Sequence, residues 1–373
     1  MSKKVVVSVI NDLTSDQRVH RTCTTLTELG FDVLLVGREM RTSKHLKPRI
    51  YETLRMKLLI NKGPVFYAEF NIRLFFFLLF KKVDILHAND LDTLLANHLI
   101  QRLKNISLVY DSHEYFTETP ELVEGSFAKR TWLLVERSIF PKLKNVLTVN
   151  KSIAAIYKKL YGLDLKVVRN VPISESFNSS IELKSRNELG LPKEKRVILL
   201  QGAGINKDRG AEEMIEAMKW IDAVFLIVGS GDVIPDLKER VRYLNLSSKV
   251  IFTGRIPFQE LICFTKAADV GVTLDKDTNL NYRYSLPNKL FDYFQAGLPV
   301  IASDLVEVRR VIDEYQSGII LSSHDPKIMA KEINTFLNNT SLFNQIKRNV
   351  QKAKEELVWE NEKEILINCY ETI

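Results

Sequence analysis

Short apolar runs rich in Val and Ile alternate with segments of helical period along almost the whole chain. Val5–Ile10 reads as a first strand, Gln17–Leu29 as a helix closed by Gly30, and Asp32–Val36 as a second strand. Asp84–His87, Leu108–Tyr110 and Val146–Val149 follow as strands, each leading into a helix or loop. The pattern restarts after about residue 170, with strands at Val197–Leu200, Val224–Val228, Val250–Phe252, Val270–Val272 and Val300–Ala302. Such alternation predicts parallel sheets covered by helices on both faces, an α/β architecture. At 373 residues the chain is long enough for two such domains in tandem, each with its own core. The polar stretch Ser174–Ser185 is the expected lead into the second.

Open parallel sheets bind ligands beyond the carboxyl ends of their strands. The polar clusters of this chain fall there. Asn11-Asp12 follows the first strand, His87-Ala-Asn-Asp90 ends another, and Asp111-Ser-His113-Glu114 follows the next. The last of these offers a general base, an orienting carboxylate and hydrogen-bond partners for a hydroxylated substrate, and Asp90 can serve in the same way. In the second half, Gly202-Ala-Gly204 leads through Lys207 and Arg209 into a helix. Its glycines allow backbone to approach a phosphate, and the cations offset its charge. The spacing is neither a Rossmann fingerprint nor a Walker loop.

Residues 285–304 are the most telling segment. They predict a helix opening on Pro287 and ending at Gly297, with Pro299 blocking continuation into the following strand. Asn288, Lys289 and Asp292 share one face of its first two turns. A helix N-terminus near Ser285–Asn288 suits a phosphate, and a carboxylate one turn deeper suits a ribose diol. The segment outlines a nucleoside diphosphate site.

Composition narrows the partners. Residues 1–170 hold 27 Lys/Arg against 17 Asp/Glu, and residues 171–373 hold 26 against 29, so the formal charge of +7 sits on the first half. The excess is densest over Arg38–Lys62. That surface suits anionic lipid headgroups or an anionic acceptor, and with little aromatic interleaving it does not read as a nucleic-acid interface. Leu74–Phe80, closed by Lys81 and Lys82, is too short an apolar run to span a bilayer, yet Phe75–Lys82 can lie on one. Three widely spaced cysteines and no leader-like apolar core after Met-Ser-Lys-Lys fit a reducing cytoplasm.

Over essentially its whole length the chain resembles the retaining nucleotide-sugar glycosyltransferases of family 4. The likeness is carried by Leu286–Ser303, by Gln201-Gly-Ala-Gly204 with Arg209-Gly210, and by Phe252-Thr-Gly-Arg255. It implies a GT-B fold, two Rossmann-like domains facing across a cleft: 1–171 for the acceptor, 172–351 for the nucleotide sugar, and a closing helix within 352–373 that crosses back to the first. It implies donor contacts from Asp292, Arg209, Lys289, Asn288, Ser285, Leu286, Gly202, Gly204 and Arg255, and catalytic candidates His113, Glu114 and Asp90. The family's first motif acid falls on Tyr284, its first-loop arginine on Ala203, and its N-terminal histidine on Asn89.

The implied activity is hexosyl transfer from a nucleoside diphosphate sugar to a glycan or lipid-linked acceptor of cell-surface polysaccharide synthesis. It needs no metal or other cofactor. The implied place is the cytoplasm, peripheral to the inner membrane face. Two other readings stay open: a sugar-nucleotide epimerase or hydrolase of the same fold, and a non-catalytic nucleotide-sugar-binding partner.

Overall fold

The computed structural model describes residues 2–14, 16–41, 43–178 and 182–373. It divides into two units, Met1–Asn170 with Glu362–Ile373, and Val171–Asn361.

The first unit is a parallel sheet with helical crossovers. Its strands are β1 (Lys4–Asp12), β2 (Asp32–Glu39), β3 (Glu52–Lys57), β4 (Ile85–Asn89), β5 (Ser107–Ser112), β6 (Asn145–Thr148) and β7 (Lys166–Val167). They are ordered β3-β2-β1-β4-β5-β6-β7. Helices α1 (Gln17–Glu28), α2 (Gly63–Phe80), α3 (Leu91–Lys104), α4 (Phe127–Ile139) and α5 (Lys151–Tyr161) connect them. Val5, Val6, Val7 and Val9 are all buried, as a central strand covered on both faces requires. Residues Glu362–Ile373 complete this unit, with Tyr370 Oη 2.7 Å from His87 Nδ1 and Arg169 Nε donating to Glu362 at 2.6 Å.

The second unit repeats the plan. It opens with the one-turn helix α6 (Glu175–Asn178). Its strands β8 (Val197–Gly202), β9 (Val224–Gly229), β10 (Val250–Gly254), β11 (Val270–Thr273), β12 (Val300–Ser303) and β13 (Gly318–Leu321) are ordered β10-β9-β8-β11-β12-β13. Its other helices are α7 (Ala211–Ala217), α8 (Ile234–Tyr243), α9 (Phe258–Ala267), α10 (Leu280–Arg283), α11 (Asn288–Gln295), α12 (Val306–Tyr315), α13 (Pro326–Asn338) and α14 (Thr340–Glu356), with α15 (Trp359–Tyr370) running out of it. Ile198, Leu200, Phe225, Ile227, Val270 and Val272 anchor its core.

Strand order reverses between β1 and β4 in the first sheet and between β8 and β11 in the second. Parallel sheets open a crevice at such a switch point. Asp90 and Asp111 lie at one switch, and Gln201–Gly204 lies at the other.

The expected strands all form, and β3, β7 and β13 add edges that the sequence reading omitted. One expectation needs correction. Pro287 is the residue before α11 rather than its first member, because its ψ of 133° is extended. Gly297 takes φ +75°, the left-handed conformation expected just past the helix end. Part of Ser174–Ser185 lies outside the described residues. The Arg38–Lys62 segment is no uniformly solvated loop. Arg38 stacks on Phe66, Arg49 donates to Leu13 O and Tyr51 Oη, and Arg55 reaches Asp12 and Glu39.

Candidate active site

In the second unit the site is built on one buried hydroxyl. Tyr293 Oη accepts from the amide of Gln201 at 3.2 Å and donates to carbonyls of β8 and β11, Leu199 at 3.1 Å and Val272 at 3.2 Å. This fixes α11 over the switch point. A Cβ at Gly271 would fall 2.3 Å from the Tyr293 ring, so a glycine is needed for the ring to lie there. Gln201 extends the link, donating from Nε2 to Asp292 Oδ2 at 3.0 Å while its Oε1 accepts from Thr265 at 2.8 Å.

The loop after β8 is held by the turn after β9. Ser230 N donates to Gly202 O at 3.1 Å, and Ile205 N donates to Ser230 O at 3.0 Å. A Cβ at Gly229 would lie 1.8 Å from Gly202 O, and one at Gly231 would lie 1.9 Å from Ile205 O. These two glycines serve backbone packing. Gly202 and Gly204 differ: a Cβ there meets nothing nearer than 3.9 Å. Their faces stand open, as close approach of a ligand requires.

Two cations lie near this loop. Arg209 donates to the buried Asp275 at 2.9 Å and stacks 4.4 Å from the Tyr282 ring. Its charge is therefore already matched. Lys289 is half-buried, with its Cε 4.0 Å from the position a Gly202 Cβ would take. Among the described residues it forms no hydrogen bond or ion pair. Burial pulls its pKa down, Asp275 pushes it back up, and Arg209 lowers it further. An incoming phosphate would relieve that strain.

Ser285 turns its hydroxyl to Tyr282 O at 2.9 Å, and its amide bonds the same carbonyl at 3.1 Å. That amide is spent within the chain. Leu286 is half-buried, and Asn288 is exposed at the start of α11. Arg255 is exposed just beyond β10, and no hydrogen bond or ion pair joins it to this group among the described residues.

In the first unit, Asp90 is the pivot. It precedes α3 with φ 57° and ψ 169°, a strained conformation for a residue with a Cβ. Three contacts impose it. Its amide donates to Asp111 O at 2.9 Å, its Oδ1 accepts from the His113 amide at 2.9 Å, and its Oδ2 lies 3.2 Å from His113 Nδ1. The other ring nitrogen of His113 is 3.3 Å from Asp111 Oδ2. Burial opposes charge on the ring, but Asp90 and Asp111 overcome it and hold His113 well above the usual histidine range. A carboxylate at each ring nitrogen favours the protonated ring, which disfavours the general-base role expected of it.

Asp111 is clamped in turn by Arg18, at 2.9 Å from Nε and 2.7 Å from Nη2. Burial would raise the Asp111 pKa, yet Arg18 and His113 hold it well below the carboxylate range. Asp92, the second residue of α3, goes the other way: burial and then Asp90 raise it well above its ordinary value. Glu114 is half-buried beside them, with its backbone carbonyl bonded by Ser112 Oγ at 2.9 Å.

Sequence reasoning missed Arg18 and Asp275, whose partners are distant in sequence, and Asp92, whose burial no local pattern records. Of the positions where the resemblance marks a departure, Asn89 is a buried side chain bonded to Ser8 O at 3.0 Å, Ala203 is exposed, and Tyr284 caps α10.

The pattern described as glycosyl transferases group 1 matches residues 182–353, and that described as glycosyltransferase family 4 matches residues 16–172. Together they span most of both units. The chain belongs to the GT-B glycosyltransferases. An uncharacterized glycosyltransferase of Methanocaldococcus jannaschii is 26% identical over 60% of this chain and 59% of its own length. An alpha-monoglucosyldiacylglycerol synthase of Streptococcus pneumoniae is 29% identical over 38% of this chain and 32% of its own length. The matches thus span well under two thirds of these curated relatives. Two solved structures share the fold of this glycosyltransferase. A sucrose-phosphate synthase of Thermosynechococcus elongatus superposes with TM-score 0.79 at 17% identity, covering 99% of this chain and 98% of its own. Anabaena HepE, solved with UDP and glucose, gives 0.77 at 15% identity with both chains fully covered.

Proposed function

We propose that this glycosyltransferase moves a hexosyl group from a nucleoside diphosphate sugar to a glycan or lipid-linked acceptor, with retained anomeric configuration. The observation that carries the donor half is Lys289, a half-buried cation without an ion pair among the described residues, running beside the open face of Gly202. The N-terminus of α11 adds its partial positive charge on the same side, and Asp292, steadied by Gln201, offers a carboxylate to a ribose diol. Cations and amides aimed at the leaving diphosphate would stabilise the charge that builds as the glycosidic bond breaks.

For the acceptor half, His113, with a carboxylate at each ring nitrogen, would hold Asp90 in place toward a sugar hydroxyl. Glu114 and Asp90 would accept from hydroxyls. The solved relative with UDP and glucose supports the donor class, and the relative named as a glucosyldiacylglycerol synthase supports a lipid-linked acceptor. A cytoplasmic location, with peripheral contact to the membrane, belongs to the same reading.

The test is release of nucleoside diphosphate from candidate donors with and without crude lipid acceptor. Acceptor-dependent release is the expected result. Turnover that ignores the acceptor would favour a hydrolase or epimerase, and tight binding without turnover a non-catalytic partner.

A further inference from the structure

The first unit carries an apolar surface that the site does not use. On α2, Phe66, Phe70, Leu74 and Leu78 are buried, while Ile72, Phe76 and Phe80 are 58%, 54% and 83% exposed. On α3, Leu95, Leu99 and Leu103 are 38%, 44% and 63% exposed. Both sets recur every fourth residue, so each forms a stripe along its helix.

Hydrogen bonds lock the two helices side by side and running the same way. Asn71 Nδ2 donates to Asp92 O at 2.7 Å, and its Oδ1 accepts from the Ala96 amide at 3.3 Å. Two turns on, Lys104 Nζ donates to the carbonyls of Leu78 at 2.8 Å and Lys81 at 2.7 Å. The offset between the helices is about the same at both clamps. Ile72, Phe76 and Phe80 therefore come about level with Leu95, Leu99 and Leu103. The result is a ladder of outward apolar pairs, larger than the singly scattered hydrophobics of an ordinary surface.

The rim is basic. Lys62, Lys82 and Arg102 are exposed around it, with Lys81 and Lys104 half-buried at one end. The acids on these elements are Glu69 and Asp92. Glu69 is taken up by the amides of Leu59 and Ile60 and by Arg73, and Asp92 is buried. Glu69 thereby also holds out Leu59, which is 85% exposed.

We propose that the outer face of α2 and α3 seats this protein on an anionic lipid bilayer. The proposal deepens the reading above and rests on it, because a lipid-linked acceptor would lie in that bilayer. The geometry is that of a helix pair lying in the interface, with side chains in the acyl boundary and lysines among headgroups. Although α2 has the length and apolarity of a helix that could cross a membrane, its other face is core of the first unit, so it lies on the surface. A second copy docking on the same face would oppose like charges rim to rim, which disfavours it. The basic segment before α2 contributes less than its sequence suggested, since Arg38, Arg49 and Arg55 are engaged within the unit.

The experiment is sedimentation of the full chain with vesicles of phosphatidylcholine alone or mixed with phosphatidylglycerol. The chain should bind the anionic vesicles preferentially and less so as salt rises. L99S/L103S should lower partitioning about tenfold or more with unchanged melting temperature. K81E/K82E should abolish the anionic preference. Wild-type partitioning by L99S/L103S would overturn the proposal, as would equal binding of the wild type to both vesicle types. Absence of vesicle binding with self-association in light scattering would assign the face to a second copy. Nucleoside diphosphate release measured without vesicles reads the transfer reaction by itself. Its failure with vesicle binding intact would remove the proposed reaction and leave the docking face standing.

Discussion

Lys289 passes beside Gly202, with its Cε 4.0 Å from where that glycine's Cβ would stand. A cation from α11 thus meets the open loop after β8 at the switch point of the second sheet. The neighbouring Arg209 is already matched by Asp275. The two cations differ in what they hold, and so their substitutions should differ in what they damage.

Removing Lys289 should leave the fold intact and weaken donor binding. Lys289→Ala should raise the Kd of the nucleoside diphosphate about tenfold or more, the loss of one charge-assisted bond. Its melting temperature without ligand should match or exceed that of the wild type, because a half-buried charge is gone. Calorimetry with the free diphosphate, paired with a thermal scan, checks both halves.

Arg209→Ala should instead cost stability. It leaves the Asp275 carboxylate buried and unmatched, a loss of about 3 kcal/mol. Adding Asp275→Asn to Arg209→Ala should recover part of it. A urea titration of the single and double variants measures the coupling directly.

The glycines separate backbone packing from ligand access. Gly229→Ala and Gly231→Ala should each unfold more readily than the wild type by more than about 1 kcal/mol, because the new Cβ meets backbone of the β8 loop. Gly202→Ala should fold normally and lose donor affinity, since its Cβ would enter the open face. Equal donor affinity in a folded Gly202→Ala would argue against phosphate at that loop.

The His113 proton sets a pH dependence. In the fold its pKa is raised above the ordinary 6.5, opposed by burial but driven by Asp90 and Asp111. The folded state therefore binds this proton more tightly than the unfolded one. Its contribution is full below about pH 6.5 and is lost as pH rises through the higher folded value. Asp90→Asn should lower the His113 pKa and shrink the stability advantage on the acid side. Imidazole titration by NMR, with urea midpoints across the same pH range, tests it.

Much of this arrangement was legible beforehand for a physical reason. Strands of a parallel sheet are continuous apolar runs, and the glycine- and proline-bounded helix at 288–295 announces itself locally. Asp90, His113 and Asp292 could be singled out beforehand because they sit next to strand ends or helix starts. What stayed hidden were the pairings. Arg18 meets Asp111, Arg209 meets Asp275 and Gln201 meets Asp292 only after the sheets are wound, and no local pattern in one sequence records them. The same holds for protonation. Histidine beside glutamate suggested a base, and the two carboxylates that flank the ring and favour its protonated form are placed there only by the fold. The exposed leucine stripe of α3 was not read from the sequence, since exposure depends on which neighbours the helix acquires.

Residues Glu362–Ile373 belong to the first unit, although the second unit lies between them and the rest of it in sequence. During synthesis, Tyr370 reaches the ribosomal exit only after all of residues 171–361. His87 waits for its partner until then. The N-terminal sheet must pass through a stage in which it is exposed on one flank while the inserted unit already has every strand it needs. The order of translation therefore favours folding of the second unit before the N-terminal one is sealed. A chain released early would be expected to retain the former and lose the latter.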